Sequence, residues 1–384
     1  GANFARRWLV TLHLTRMDPQ LEDNAYGTMI ESDLEDSQPT EDESSGGGLS
    51  DLLETEMFGV QLAAKAVSLT HARHTLLQDS KKVLHGNGSD QYGQLGLGNS
   101  SNSSPKRTAA RPRSSKRSSN IIEPTVSPKE VPFPAAVRQI VCGINHSLLL
   151  TQDLKVFAAG AHIYPKGSSQ PSFCEVLGLP RIVQISTGIY HSMAVDKDGK
   201  LWAWGTYNNM GQLGLGHLKE PSAKPQVVEP FGGSEHKAKF VICGSRFTVV
   251  VDEADQLWGF GDNTEGQLSM APTPSAIDAT KSEPVRVPTR IADFGQRPGP
   301  LRDLGAGALF LVVVDGNGTV FTSGANKRKQ LGRAGEPYPL ASVPQIPLME
   351  EVWVGGEHTI ARAMDGTIWC WGSNRDLQLN LPKK

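Results

Sequence analysis

Histidine and cysteine are the side chains here best suited to proton transfer, metal binding or nucleophilic attack. The chain carries ten histidines and four cysteines, Cys142, Cys174, Cys243 and Cys370. A zinc site needs closely spaced soft ligands, and no C-x-x-C pair is present. No G-x-S-x-G, H-E-x-x-H, P-loop or dinucleotide fingerprint stands in a strand-to-helix setting. Gly93-Gln-Leu-Gly-Leu-Gly98 offers glycines to a phosphate, but it returns as Gly211-Gln-Leu-Gly-Leu-Gly216 and no helix follows either copy. What such residues do is therefore decided by their period.

The period is plain once the segments are aligned. Ile140-Val-Cys-Gly143-Ile-Asn-His146, Ile185-Ser-Thr-Gly188-Ile-Tyr-His191 and Val352-Trp-Val-Gly355-Gly-Glu-His358 share one form. Val241-Ile-Cys-Gly244-Ser-Arg-Phe247 and Leu304-Gly-Ala-Gly307-Ala-Leu-Phe310 repeat it with phenylalanine, and Val67 to His74 is a weaker sixth copy. A second glycine stands fourteen positions after each His or Phe, at Gly88, Gly160, Gly205, Gly261, Gly324 and Gly372. His74, His146, His191 and His358 thus occupy one column, as do Cys142 and Cys243. A catalytic constellation would interrupt a repeat, whereas these residues define it. The expected roles are structural: the imidazoles bridge neighbouring units, and Gly143, Gly188, Gly244, Gly307 and Gly355 form a tight turn or allow close backbone approach. His71 and His85 belong to the first copy alone.

These columns need short strands to hold them. Asp196-Lys-Asp-Gly199, Asp315-Gly-Asn-Gly318 and Asp365-Gly366 supply hairpin chemistry between apolar runs such as Leu201-Trp-Ala-Trp204. The 40 glycines and 25 prolines in 384 residues suit many tight turns and few helices. Each unit offers two or three strands plus an outer strand after a Pro-containing link, as at Glu283-Pro-Val-Arg-Val287. So small a sheet cannot cover its own faces, and radial stacking buries them. The expected fold is all-β, a β-propeller of six recognisable blades, with a degenerate seventh as the alternative. The last unit stops without an outer strand, so residues 56–62 are expected to supply one and latch the ring. Six tryptophans, Trp202, Trp204, Trp258, Trp353, Trp369 and Trp371, read mainly as packing between blades.

G-x-x-H-[ST], a D-G hairpin, W-x-W-G and G-Q-L-G-L-G together resemble the regulator of chromosome condensation repeat family. The likeness runs from about Met57 to Pro382, strongest around His191 and His358 and degraded at Phe247 and Phe310. It implies a propeller, usually of seven blades, that binds other proteins. It further implies guanine nucleotide exchange on a small GTPase of the Ran type, chromatin association, or an accessory role in an organelle or in tRNA modification. A plant photoreceptor of this family carries tryptophans beside the His column. Here those places read Ile144-Asn145, Ile189-Tyr190 and Gly356-Glu357, against light sensing.

Charge divides the remaining chain. The formal net charge of -2 gives no global reason to expect nucleic acid, and no apolar run is long enough for a bilayer. Residues 1–16 hold Arg6, Arg7 and Arg16 and read as a mitochondrial-type leader or as sequence preceding a natural start at Met17. Residues 1–56 read as a leader, acidic and disordered from Asp18 onward, and residues 57–384 as the propeller. Residues 99–120 interrupt it with Lys106, Arg107, Arg111, Arg113, Lys116 and Arg117, which read as a nuclear localisation signal or partner contact. The expectation is a nuclear or cytoplasmic interaction scaffold, not an enzyme, with a protein partner and without metal, cofactor, membrane or small-molecule substrate.

Overall fold

A computed structural model of the chain describes residues 67–68, 74–79, 81–98, 125–161, 170–218, 224–274, 282–295, 299–375 and 379. The residues form six small sheets, and the fold is an all-β propeller. Blade 1 comprises His74–Gln78, Leu84–Gly88 and Thr125–Val131; blade 2 comprises Val137–Cys142, His146–Thr151, Val156–Gly160 and Gln170–Glu175. Blade 3 contains Ile182–Thr187, His191–Asp196, Leu201–Gly205 and Gln226–Val227, and blade 4 contains Ala238–Cys243, Phe247–Asp252, Gln256–Gly261 and Val285–Asp293. Blade 5 is built from Asp303–Ala306, Phe310–Val314, Val320–Gly324 and Ala341–Ser342, and blade 6 from Met349–Val354, His358–Ala363 and Ile368–Gly372.

The sequence period becomes strand register. In every blade the column His or Phe opens a strand and pairs with the glycine closing the next: His74 with Gly88, His146 with Gly160, His191 with Gly205, Phe247 with Gly261, Phe310 with Gly324 and His358 with Gly372. These closing glycines have positive φ, 149° at Gly205. A Cβ there would stand 2.4 Å from the Tyr190 carbonyl, so no other residue fits without moving the preceding turn.

Stacking the sheets creates five apolar seams among the described residues. Val141, Leu148 and Leu150 of blade 2 meet Ile182, Ile185 and Trp204 of blade 3. Met193, Val195 and Leu201 continue to Val241, Val250 and Phe260 of blade 4. Like clusters join blades 1 to 2, 4 to 5 and 5 to 6. At about 25 cal/mol per Å², each buried Leu or Phe adds roughly 1.5–3 kcal/mol, so the seams hold the stack together.

The two ends of the stack depart from this pattern. The repeat alignment expects Val67 to open blade 1, yet Val67–Ser68 pairs in parallel with Val141 and Cys142 of blade 2. Blade 6 has three strands among the described residues, and its edge is more open than its counterparts. Ile368 is 37% exposed, where Leu201, at the matching place in blade 3, is fully buried. The outer strand expected from residues 56–62 lies outside the described residues.

Candidate functional surface: the turn end of the propeller

The His column sits at the end of each blade where the first strand turns into the second. His74 Nε2 stands 2.6 Å from Ser147 Oγ of the next blade, and that hydroxyl donates to the Gln94 carbonyl at 2.8 Å. His191 Nε2 lies 3.1 Å from Thr248 Oγ1, which donates to the Gln212 carbonyl at 2.9 Å. With the hydroxyl proton committed to the carbonyl, the imidazole is the donor, which assigns the Nε2–H tautomer in both. Ser192 Oγ approaches His146 Nε2 at 3.3 Å in the same manner. His358 is buried in the fourth place of the column. Burial drives His74 and His191 down to about 3, so both rings are neutral at physiological pH.

The glycine column permits this seat. Gly143, Gly188, Gly244, Gly307 and Gly355 avoid positive φ, so close approach is the reason for glycine at these places. A Cβ on Gly188 would fall 2.1 Å from His191 Cε1 and 2.6 Å from the Gly244 carbonyl of the next blade. At Gly244 it would meet Phe247, and at Gly307 Phe310. The turns themselves are linked. Ile189 N–H donates to the Ser245 carbonyl at 3.0 Å, Ser245 N–H to Ala308 at 3.4 Å and Ala308 N–H to Gly356 at 2.8 Å. That chain of backbone bonds crosses three successive seams.

Cys142 and Cys243 are buried behind the glycines. Burial pushes their thiols up to about 11 and about 12, leaving them protonated and poor nucleophiles. Cys174 and Cys370 are half-buried. Among the described residues no group of three or more His, Cys, Asp or Glu is placed to hold a metal ion. The Gly-Gln-Leu segments are rigid turns. Gln212 Oε1 accepts from Met210 N–H at 3.0 Å, and Asn208 Oδ1 from Leu213 N–H at 3.0 Å. The Asn263 and Gln267 pair repeats the arrangement in blade 4, and Asn326 and Gln330 repeat it in blade 5.

Several structural residues escaped the sequence pattern. Gln139 brackets the next blade by accepting from Ile185 N–H at 3.0 Å and donating to its carbonyl at 2.8 Å. Gln184 does the same to Val241 of blade 4. Asp196 Oδ2 accepts from Trp202 Nε1, and Asp252 Oδ2 from Trp258 Nε1, each at 2.9 Å. Those two tryptophans staple hairpins as well as packing. In blade 1 the partner is His85, 3.1 Å from Asp79.

The exposed residues of the turn end form the candidate surface. Tyr207 is 43% and Tyr92 37% exposed, and the Tyr207 ring lies 4.8 Å from that of Tyr190. Arg246 holds the buried Asp262 carboxylate at 2.8 Å. Lys327, Arg328 and Lys329 project from the matching loop of blade 5. Aromatic rings and arginines on stiff loops are the composition of protein-binding hot spots. Lys106, Arg107, Arg111, Arg113, Lys116 and Arg117 lie outside the described residues.

Comparison with known proteins agrees with this geometry. The regulator of chromosome condensation (RCC1) repeat matches residues 84–150 and 198–251, and a second form of that repeat matches 182–212. The chain is 30% identical to human "Probable E3 ubiquitin-protein ligase HERC6" over 249 residues, 58% of this chain but only 22% of that protein. It is 31% identical to human "Protein RCC2" over 156 residues, 41% of this chain and 27% of that protein. The Saccharomyces cerevisiae Prp20p structure, described with its binding to Gsp1p and histones, superposes with a TM-score of 0.62 at 20% identity, covering 80% of this chain and 72% of that one. Residues 84–150 and 182–251 thus carry regulator of chromosome condensation repeats, set in a β-propeller fold.

Proposed function

We propose that this chain is a non-catalytic interaction propeller that holds a partner protein on its turn end. The observation that carries the reading is a division of labour. His74, His146, His191, Cys142 and Cys243 are buried in the blades, while Tyr92, Tyr207 and the 327–329 cations are exposed on loops fixed by Asn and Gln side chains. Reactive groups serve the scaffold, and contact groups face solvent.

The finer reading is a small GTPase of the Ran type as partner, with guanine nucleotide exchange as the consequence. Its support is the likeness to a propeller described with Gsp1p. Chromatin is the second reading, since the same description names histones and residues 106–117 are basic. The basic cluster also supports a nuclear address.

Binding of a nucleotide-free Ran-type GTPase and of histone octamer should be measured with the full chain and with Y92A/Y207A. The GTPase is expected to bind and to lose about tenfold in the variant, a hot-spot loss of roughly 1.4 kcal/mol. Undiminished binding in the variant would remove the turn end from the interface. Binding of histones alone would replace the GTPase.

A further inference from the structure

Blade 5 breaks the loop pattern in a way that the fold does not favour. The residue before Gln-Leu is Gly93, Gly211 and Gly266 in blades 1, 3 and 4, with φ of 78°, 72° and 75°. In blade 5 it is Lys329, held at φ 60°. A side chain in the left-handed region costs about 1 kcal/mol relative to glycine, so this loop places a lysine where the matching loops place the residue the backbone prefers. Lys329 follows Lys327 and Arg328, all three exposed, and Lys327 is 84% open with only a loose 4.0 Å approach to Glu265. Gln330 Oε1 accepts from Arg328 N–H at 2.7 Å, and Asn326 Oδ1 from Leu331 N–H at 3.1 Å. Arg375 is exposed at the matching loop position of blade 6. The turn end thus carries a rigid cationic corner on blades 5 and 6.

The sequence holds one segment of complementary charge. Between Asp18 and Glu56 there are thirteen acidic residues and no Lys or Arg, which leaves 38 basic against 27 acidic residues in the rest of the chain. The densest stretch is 31–43, with Glu31, Asp33, Glu35, Asp36, Glu41, Asp42 and Glu43. From Glu43 to Val67 the chain can span at most about 80 Å. A domain of this size is about 50 Å across, so the segment reaches every part of the turn end.

We propose that residues 31–43 dock in cis on Lys327, Arg328 and Lys329 and cover that sector of the turn end against acidic partners. Only this regulatory consequence rests on the interaction reading above; docking itself is measured without a partner.

The test compares the intact chain with the same chain carrying E31Q, D33N, E35Q, D36N, E41Q, D42N and E43Q. Acylation rates of individual lysines are read by mass spectrometry. Residues 18–56 contain no lysine to confuse the readout, and Lys197, in an exposed hairpin at the opposite end, is the internal standard. At low salt Lys327 and Lys329 are expected to react at least threefold more slowly in the intact chain, with Lys197 unchanged. The protection should vanish at 1 M salt, where charges are screened within about 3 Å. Equal rates in the two chains would overturn the proposal. Protection that fades on dilution would place the leader on a second copy and overturn docking in cis. If docking holds but the neutralised chain binds the GTPase no better, regulation alone fails, and the partner-binding measurements above still stand.

Discussion

The seams between blades 3 and 4 and between blades 4 and 5 solve one packing problem with opposite chemistry. In the first, His191 donates to Thr248, which donates to the Gln212 carbonyl. In the second, Phe247 occupies the His place and Leu311 the Thr place, both buried in one apolar cluster. The Gln267 carbonyl still needs a donor, and Ser323, paired with Leu311 across the sheet, supplies it at 3.2 Å. The hydroxyl has moved one strand outward. Seam 5 to 6 is a mixed case: Phe310 faces the place of Thr359, whose Oγ1 is buried without a partner among the described residues. In the 3–4 and 4–5 seams the column residue and its partner match in polarity, and the carbonyl behind them takes a hydrogen bond from a hydroxyl in each.

The widest gap between the two chemistries should open in acid. His74 and His191 have folded values near 3, below the ordinary 6.5, so the unfolded chain binds more protons below pH 6.5. Their neutral seats add stability that is complete above pH 6.5 and is lost as pH falls toward 3, at up to about 1.4 kcal/mol per pH unit for each ring. Urea unfolding at pH 7 and pH 5 should show a loss of several kcal/mol, smaller when His191 is replaced by Phe. A loss unchanged in His191→Phe would mean that the ring is not buried neutral.

Next in size is Gly188→Ala. Its Cβ meets both the His191 ring and the Gly244 carbonyl backbone, so neither side can yield. A cost of about 3 kcal/mol is expected. At Gly244 the three nearest atoms all belong to the Phe247 side chain and none to the backbone, so Gly244→Ala should cost less. A larger loss of melting temperature at Gly244 would show that ring packing, and not the backbone belt, limits the seam.

The columns explain how much could be read before any coordinates. A repeat of His, two glycines and Gln-Leu specifies both register and stacking, because each column has the same neighbours in every blade. The bracket made by Gln139 and Gln184 was hidden because glutamine recurs in only those two blades, the matching places further along holding Phe240 and Asp303. Asp303 reaches the same goal by accepting from Val352 N–H at 2.8 Å. The hairpin staples were obscured likewise, with His85 standing in for tryptophan. Val67–Ser68 departed from the alignment because sequence likeness cannot tell which blade edge a two-residue strand will join. The candidate surface was the least legible part. Tyr92, Tyr207 and Lys329 sit at positions where the fold requires a loop but does not dictate the residue type, and only their exposure and backbone angles distinguish them.

The smallest effect is the most discriminating, because it asks whether one seam can be converted into the other. Blade 2 offers the cleanest site: Ser147 pairs across the sheet with Ala159, the place that Ser323 fills in blade 5. His74→Phe alone should cost about 2 kcal/mol, because the buried Ser147 oxygen loses the N–H it accepts while its own proton still serves the Gln94 carbonyl. Adding Ser147→Leu matches the pair but leaves the Gln94 carbonyl without its donor, so little is regained. Adding Ala159→Ser returns a donor from the position used in blade 5 and should recover about 1 kcal/mol. The same Ala159→Ser change in the native background should be neutral or harmful, since Ser147 already serves that carbonyl. A triple variant no more stable than the double would mean that the hydroxyl in blade 5 is incidental, and that the two seams share a shape without sharing a rule.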